Sequence, residues 1–294
     1  MLVLIAGASG LIGGALVASL RRDGHEVRRL VRRPPAQADE IEWHPDAREL
    51  PPTALIRADA VVCLTGAPIP IGRPTPAVKS RLRASRVDAV ATLAAAIAVT
   101  DHRPALIAAS AVGYYGDTGE ATVDESAPPG SGFLANLCRD WEAAADPARA
   151  AGARVVSLRS GVVLARHDGV LARLRPLVWL GVAGRQGSGR QFVSWVSLSD
   201  EVAAVRFVLD SNVSGAVNVT APNPVRNAEF VAAIARAMHR PAVLPVPALA
   251  LRLLLGEFAA DVLGGQRAVP AALTRAGLAF RDADLEATLR SILT

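Results

Sequence analysis

The stretch Leu2-Val-Leu-Ile-Ala-Gly7-Ala-Ser-Gly10-Leu-Ile-Gly13 reads as a strand, a glycine turn and the start of a helix. Leu2 to Ala6 is apolar at every position, as a strand buried on both faces of a parallel sheet must be. No basic segment precedes it and a glycine turn follows, so it reads as a first strand and not as a signal peptide. Leu11 to Arg22 places Leu11, Ile12, Leu16 and Leu20 near helical spacing, and Gly24 ends the helix. Glycines between a strand and a helix in this order are the context of the dinucleotide-binding fingerprint. Gly7 permits the tight turn, Gly10 lets the backbone approach a pyrophosphate, and Gly13 lets helix and strand pack closely. The free N–H groups of Leu11 and Ile12 then face an anion at the positive end of the helix.

The next strand, Glu26 to Val31, runs into Arg32-Arg33. An NAD site places a carboxylate there for the ribose 2′-hydroxyl; a guanidinium suits a 2′-phosphate instead. The expected cofactor is therefore NADP(H), with Arg32 as its main ligand and Arg33 and Ser9 assisting.

Further strands are expected over Ala60 to Leu64, Ala105 to Ala109 and Val155 to Leu158. The helices between them run over Lys79 to Ile97 and Phe133 to Ala145. This alternation predicts an α/β fold with a doubly wound parallel sheet and a small C-terminal substrate lobe. Beyond Gly161 come a glycine-rich loop (Gly181 to Gly189), a helix over Val196 to Leu209 started by Ser199 and Asp200, a strand over Gly215 to Thr220, and a helix over Asn227 to Met238 capped by Asn227. Pro241, Pro245 and Pro247 mark a boundary. The expected division is 1–245, of which 1–160 is mainly the dinucleotide-binding core, and a helical domain over 246–294 with one Gly-Gly break.

The chain has 294 residues, a hydrophobic fraction of 51% and a charged fraction of 20%, which exclude disorder. Its two cysteines, Cys63 and Cys138, make no disulfide framework and no zinc spacing, so a reduced, cytoplasmic setting is expected. The five histidines are dispersed and predict no metal site. Lys+Arg is 32 against 27 Asp+Glu, a formal charge of +5. The arginines are scattered and only 4% of residues are aromatic, so no nucleic-acid partner is expected. The most apolar stretch, Pro245 to Leu263, is broken by Pro247, Arg252, Glu257 and Asp261, which argues against a membrane span.

Several further segments carry a family resemblance. They are Thr65-Gly66-Ala67, Ser110-Ala-Val-Gly-Tyr-Tyr-Gly116, Asp124-Glu-Ser, Phe133 to Glu142, Arg159-Ser-Gly-Val-Val-Leu164, Gly187 to Phe192, and a tail running from Val246-Pro-Ala through Gly256-Glu-Phe to Pro270 and Gly277. Together with the fingerprint they resemble the extended short-chain dehydrogenases/reductases, and within them an atypical "epimerase family" subgroup with a C-terminal domain of unknown function. The resemblance implies that Leu64, Thr65, Gly66 and Ala67 border the middle of the cofactor. Ser110, Tyr114 and Tyr115 would lie by its nicotinamide, and Ser160, Gly161 and Val162 on the other side. Arg190 and Trp195 would reach the substrate. Ser197 stands where the family often has histidine.

The resemblance also raises a question of mechanism. The superfamily's usual catalytic pair is a tyrosine with a lysine four residues later, on one helix face. The only lysine is Lys79, and the residue four before it is Thr75. The pair is absent. Aligned by Glu142, the two positions fall on Leu134 and on Cys138, which is expected to be inert and buried. Two readings follow. In one, an oxidoreductase or isomerase acts on a small carbonyl or nucleotide-sugar-like substrate, with Tyr115 or Tyr114 as acid and Ser110 as hydrogen-bond donor. In the other, the chain binds NADP(H) as a sensor or interaction module and does little chemistry. Lesser expectations are that Asp200 caps its helix, that Arg139 pairs with Glu142, and that Phe192 and Trp195 wall a pocket or fill the lobe. The apolar Leu249 to Leu255 would dock on the main domain or in a homodimer.

Overall fold

The computed structural model describes residues 1–242 and 244–293; Val243 and Thr294, the last residue of the expected helical tail, lie outside the described residues. Seven strands form the central sheet: β1 (Leu2–Ala6), β2 (Glu26–Val31), β3 (Glu40–Glu42), β4 (Ala60–Cys63), β5 (Ala105–Ala111), β6 (Val155–Ser160) and β7 (Gly215–Val219). Their spatial order is β3-β2-β1-β4-β5-β6-β7, and every neighbouring pair is parallel. Val3 of β1 faces Val27 of β2 on one side and Ala60 of β4 on the other. The winding reverses between β1 and β4, and a crevice opens there beyond the carboxyl ends of the strands.

Alternate residues of each strand serve two helical layers. Val3, Ile5, Val62, Ile107, Leu158 and Val219 pack against Leu16 and Leu20 of α1 (Leu11–Arg22) and Val205 and Val208 of a later helix over Leu198–Asp210. Leu4, Ala6, Val61, Leu106 and Ala108 face Val90, Leu93 and Ile97 of α2 (Pro76–Ala98), with Trp141 of α3 (Phe133–Ala143) and Ala148 of α4 (Asp146–Ala150) beside them. Pro76 sits in the first turn of α2, where its missing N–H costs nothing, and Thr75 caps it by accepting from the Val78 N–H. The helix therefore starts three residues before the expected Lys79.

The smaller lobe gathers α5 (Gly169–Trp179) and α7 (Asn227–Ala237) around short strand pairs, and α6 (Leu198–Asp210) leads from it onto the sheet. Val162–Leu164 runs parallel to Trp195–Ser197, and Phe192–Val193 antiparallel to Val225–Arg226. Here three expectations are corrected. Val196 and Ser197 continue a strand, and α6 begins at Leu198, capped by the Ser197 hydroxyl, which accepts from the Asp200 N–H. The buried Asp200 carboxylate instead accepts from the N–H groups of Arg281 and Asp282. Likewise Asn227 does not cap α7; its side chain accepts from the Gln186 N–H.

The tail contains α8 (Ala248–Leu255), α9 (Ala259–Leu263), α10 (Ala271–Arg275) and α11 (Leu285–Leu293). It is not wholly helical: Arg267–Ala268 pairs in parallel with Thr122–Val123. Leu273 of α10 joins the sheet core, and Leu285 and Leu289 of α11 join the lobe's core beside α7. No helix among the described residues is long and apolar enough to cross a membrane.

Candidate cofactor cleft and substrate cavity

A cleft of about 330 Å³ opens where the winding of the sheet reverses. Its walls are Gly7, Gly10, Leu11, Ile12, Gly13, Leu64, Gly66, Val162, Val163, Gly169 and Val170. Gly7 has φ of +86°, a conformation that suits glycine, and a Cβ there would lie 2.7 Å from the Leu64 carbonyl. At Gly13 a Cβ would lie 2.2 Å from the Gly7 carbonyl oxygen, so α1 rests directly on the turn. Gly14 makes the first intrahelical bond, to Gly10, and Gly10 offers no side-chain cap. Among the described residues the N–H groups of Leu11, Ile12 and Gly13 have no acceptor, and all three residues line the cleft.

Neighbouring arginines at the end of β2 take different roles. Arg33 forks onto Glu40 at 2.8 and 2.9 Å, which holds the Glu40 carboxyl below its ordinary range with help from the Ala36 N–H. Arg33 is thus tied to β3, with its side chain still half-exposed at the end of β2. Arg32 is exposed and has no partner among the described residues. Ser9 is exposed beside the glycine turn. Of the turn after β4, Leu64 and Gly66 line the cleft; Ala67 gives its N–H to the Ser85 hydroxyl, and Thr65 lies 3.4 Å from the Cys63 sulfur.

The structure draws Ser110 and Tyr115 into a buried network rather than to a cleft wall. Ser110 donates to Glu142 Oε1 at 2.7 Å, and Glu142 is forked by Arg159 at 2.9 Å through both oxygens. Arg159 donates to the Tyr115 hydroxyl at 2.9 Å, which in turn donates to Asn218 Oδ1 at 2.7 Å. The same guanidinium lies 3.5 Å over the Tyr114 ring. Burial works against the Arg159 charge, but the Glu142 hydrogen bonds and charge outweigh it and hold its pKa above the ordinary value. Burial raises the Tyr115 pKa, with Arg159 opposing. The expected Arg139–Glu142 pair does not form; Arg139 approaches Asp140 at 4.0 Å. Cys138 is buried, and desolvation together with Glu142 pushes its thiol up to about 12. Glu125 accepts from the N–H groups of Asn218 and Ala272, which ties the network to the tail.

On the opposite face Ser160 donates to Glu201 Oε1 at 2.6 Å, and Gly161 gives its N–H to Val219. Trp195 is fully buried in the lobe's core with its indole N–H on the Asn223 carbonyl, so its expected contact with substrate is corrected: it is a packing residue. Phe192 lies in the same lobe, with Arg226 and Arg267 over its ring. Arg190 is exposed and lines neither opening.

A larger cavity of about 780 Å³ was not foreseen in the sequence. It lies between the segment after β5 and the tail, lined by Gly116, Asp117, Gly130 to Phe133, Arg252, Gly256, Glu257, Asp261, Gly264 and Gln266 among others. Gln266 donates to the Gly116 carbonyl and the Gly265 N–H to Asp117, so the tail is stitched to one wall. Lys79 meets Glu257 at 2.5 Å. Burial and the nearby Glu257 push the Asp261 carboxyl up to about 6.

With this geometry in hand, comparison with known proteins is specific. The model of the NAD dependent epimerase/dehydratase family matches residues 3–220, and that of a domain of unknown function, DUF1731, matches residues 246–292. An epimerase family protein of Mycobacterium bovis is 51% identical over 280 residues, 95% of this chain and 93% of its own. The crystal structure of human epimerase family protein SDR39U1 (isoform 2) with NADPH aligns at a TM-score of 0.89 and 33% identity, over 99% of each chain. A nucleoside-diphosphate sugar epimerase from Corynebacterium glutamicum aligns at 0.83 and 34% identity, over 100% of this chain and 58% of its own.

Proposed function

The chain belongs to the NAD dependent epimerase/dehydratase family, and from that premise we propose that it is an NADP(H)-binding oxidoreductase or isomerase acting on a small carbonyl or nucleotide-sugar-like substrate. One observation carries the cofactor preference: Arg32 stands exposed and unpaired at the end of β2, while Glu40, the buried carboxylate beside that end, is taken by Arg33. A guanidinium in that place binds a 2′-phosphate in a fork. The NADPH in the human relative's structure supports the same preference.

The residues present fit a dinucleotide. The Gly7–Gly13 turn leaves a cradle that side chains would fill, and the N–H groups of Leu11, Ile12 and Gly13 would hold the pyrophosphate. Hydride transfer is the chemistry that such a cofactor supplies when bound. The cavity under the tail would take the substrate; its walls offer Arg252, Gln266 and the carboxyl of Asp261 to a polar ligand.

Titration of the protein with NADPH and NADH, followed by fluorescence, tests this reading. Tighter binding of NADPH is expected, and in Arg32→Ser the preference for it is lost by about tenfold or more. Tighter NADH binding to the wild type would overturn the preference.

A second reading, a cofactor-binding sensor with little turnover, is favoured by one feature. The hydroxyls of Ser110 and Tyr115 are both committed to the Arg159–Glu142 network. A carbonyl panel that leaves NADPH unoxidised, together with partner affinity that follows the cofactor's redox state, would select it. Loss of a measured activity in Tyr115→Phe with NADPH binding intact would select the enzyme and restore Tyr115 as its acid.

A further inference from the structure

We infer that Arg86 is an anion anchor of the cleft: its guanidinium, set behind the Gly66-Ala67 turn, holds the cofactor's pyrophosphate charge in place. The inference rests on the reading of the cleft as a dinucleotide site.

Arg86 projects from α2 into a slot between that turn and Trp141. Nη2 donates to the Ala67 carbonyl at 3.0 Å, and Nη1 to the Leu82 carbonyl at 3.1 Å and the Ser85 hydroxyl at 3.3 Å. The Trp141 ring lies 5.2 Å from the guanidinium carbon. All these acceptors are neutral. Among the described residues no carboxylate pairs with Arg86. Arg159 and Arg29, in contrast, are matched by the carboxylates of Glu142 and Asp39, and the half-buried Arg154 lies on the negative end of a helix, where it donates to the carbonyls of Val208 and Leu209 in the last turn of α6 and to that of Val213 beyond it. Burial lowers the Arg86 pKa, with only the Cys138 sulfur acting against it.

A partly buried cation without a counter-charge is expensive for a fold to keep. A neutral side chain would fill the same slot at lower cost. Its retention makes sense where the missing negative charge arrives with a ligand.

Position identifies the ligand. Gly66 lines the cleft together with Gly10 and Gly13, and a Cβ on Gly66 would lie 3.2 Å from the guanidinium carbon and from Nη2. A single glycine therefore separates the charge from the cleft, and at that thickness a charge acts strongly in a low-dielectric wall. The anion that the glycine turn and the start of α1 are shaped for is a pyrophosphate. The 2′-phosphate belongs beyond β2, at Arg32. The chain's only lysine, Lys79, is occupied by Glu257, so no lysine supplies this charge.

The test measures NADPH and NADH dissociation constants for the wild type, Arg86→Gln and Arg86→Lys over a range of salt concentration. Arg86→Gln is expected to weaken both cofactors by the same factor, about tenfold, and to flatten the dependence of affinity on salt. Arg86→Lys recovers most of the affinity and the slope. Arg32→Ser, in contrast, weakens NADPH alone. If Arg86→Gln does not give a native melting curve, Arg86→Met, which keeps an unbranched stem against Trp141, replaces it. A neutral variant that binds both cofactors as tightly as a binding wild type overturns the inference and leaves the cleft's assignment standing. A wild type that binds neither cofactor overturns the assignment, and the inference with it.

Discussion

Glu201, in the first turn of α6, is fully buried; one carboxyl oxygen accepts from Ser160 and the other has no partner among the described residues. Burial pushes its pKa from the ordinary 4.5 to about 7. The folded state therefore holds a proton that the unfolded state releases between those values. The associated stability is fully present below about pH 4.5 and is lost as pH rises through about 7. Glu201→Gln should melt higher than the wild type at pH 8, with the gap closing toward pH 5; a gap independent of pH would refute the burial argument. The same scale shows where sequence reading stops. Arg32 and Arg33 are adjacent and chemically alike, and only the carboxylate of Glu40 separates their fates. Tyr115 was legible as a residue beyond β5, but its depth was not, because its partners Arg159 and Asn218 lie 44 and 103 residues away.

Among elements, the joint between β1 and α1 is the least tolerant. A methyl group on Gly13 would meet the Gly7 carbonyl oxygen at 2.2 Å, so Gly13→Ala must displace the helix from the turn. Overpacking of this kind costs about 1–3 kcal/mol, read as a drop of several degrees in melting temperature, and NADPH binding should fall with it. An unchanged melt and an unchanged affinity would show that α1 can slide. This joint was legible because glycine spacing and apolar runs are local signals. Strands β1, β2 and β4 to β7 were legible for the same reason. β3 was not: Glu40-Ile-Glu42 has three residues, two of them charged, and exists because β2 offers it an edge. The start of α6 was misplaced because Ser197 and Ser199 are both plausible caps, and the parallel pairing of Trp195–Ser197 with Val162–Leu164 decides between them.

For the whole molecule, the tail's attachments reach far across the sequence. Leu273 fills the sheet core, Ala272 bonds Glu125, and Gln266 bonds Gly116 across 150 residues. Deleting residues 246–294 should therefore expose the sheet core and abolish cooperative thermal unfolding by circular dichroism. A soluble fragment with a sharp melt would show that the tail is an independent unit. These particular attachments were not legible, since Glu125 and Asp200 carry no local sign that they wait for backbone N–H groups of the tail. Lys79, on α2, grips Glu257 at the edge of the larger cavity, and its side chain is 33% accessible. Because it is the chain's only lysine, it is also its only side-chain amine. An amine-reactive dye would mark this seam alone among the side chains, so the protein carries a ready-made address for a probe that reports whether the tail lifts when a ligand enters.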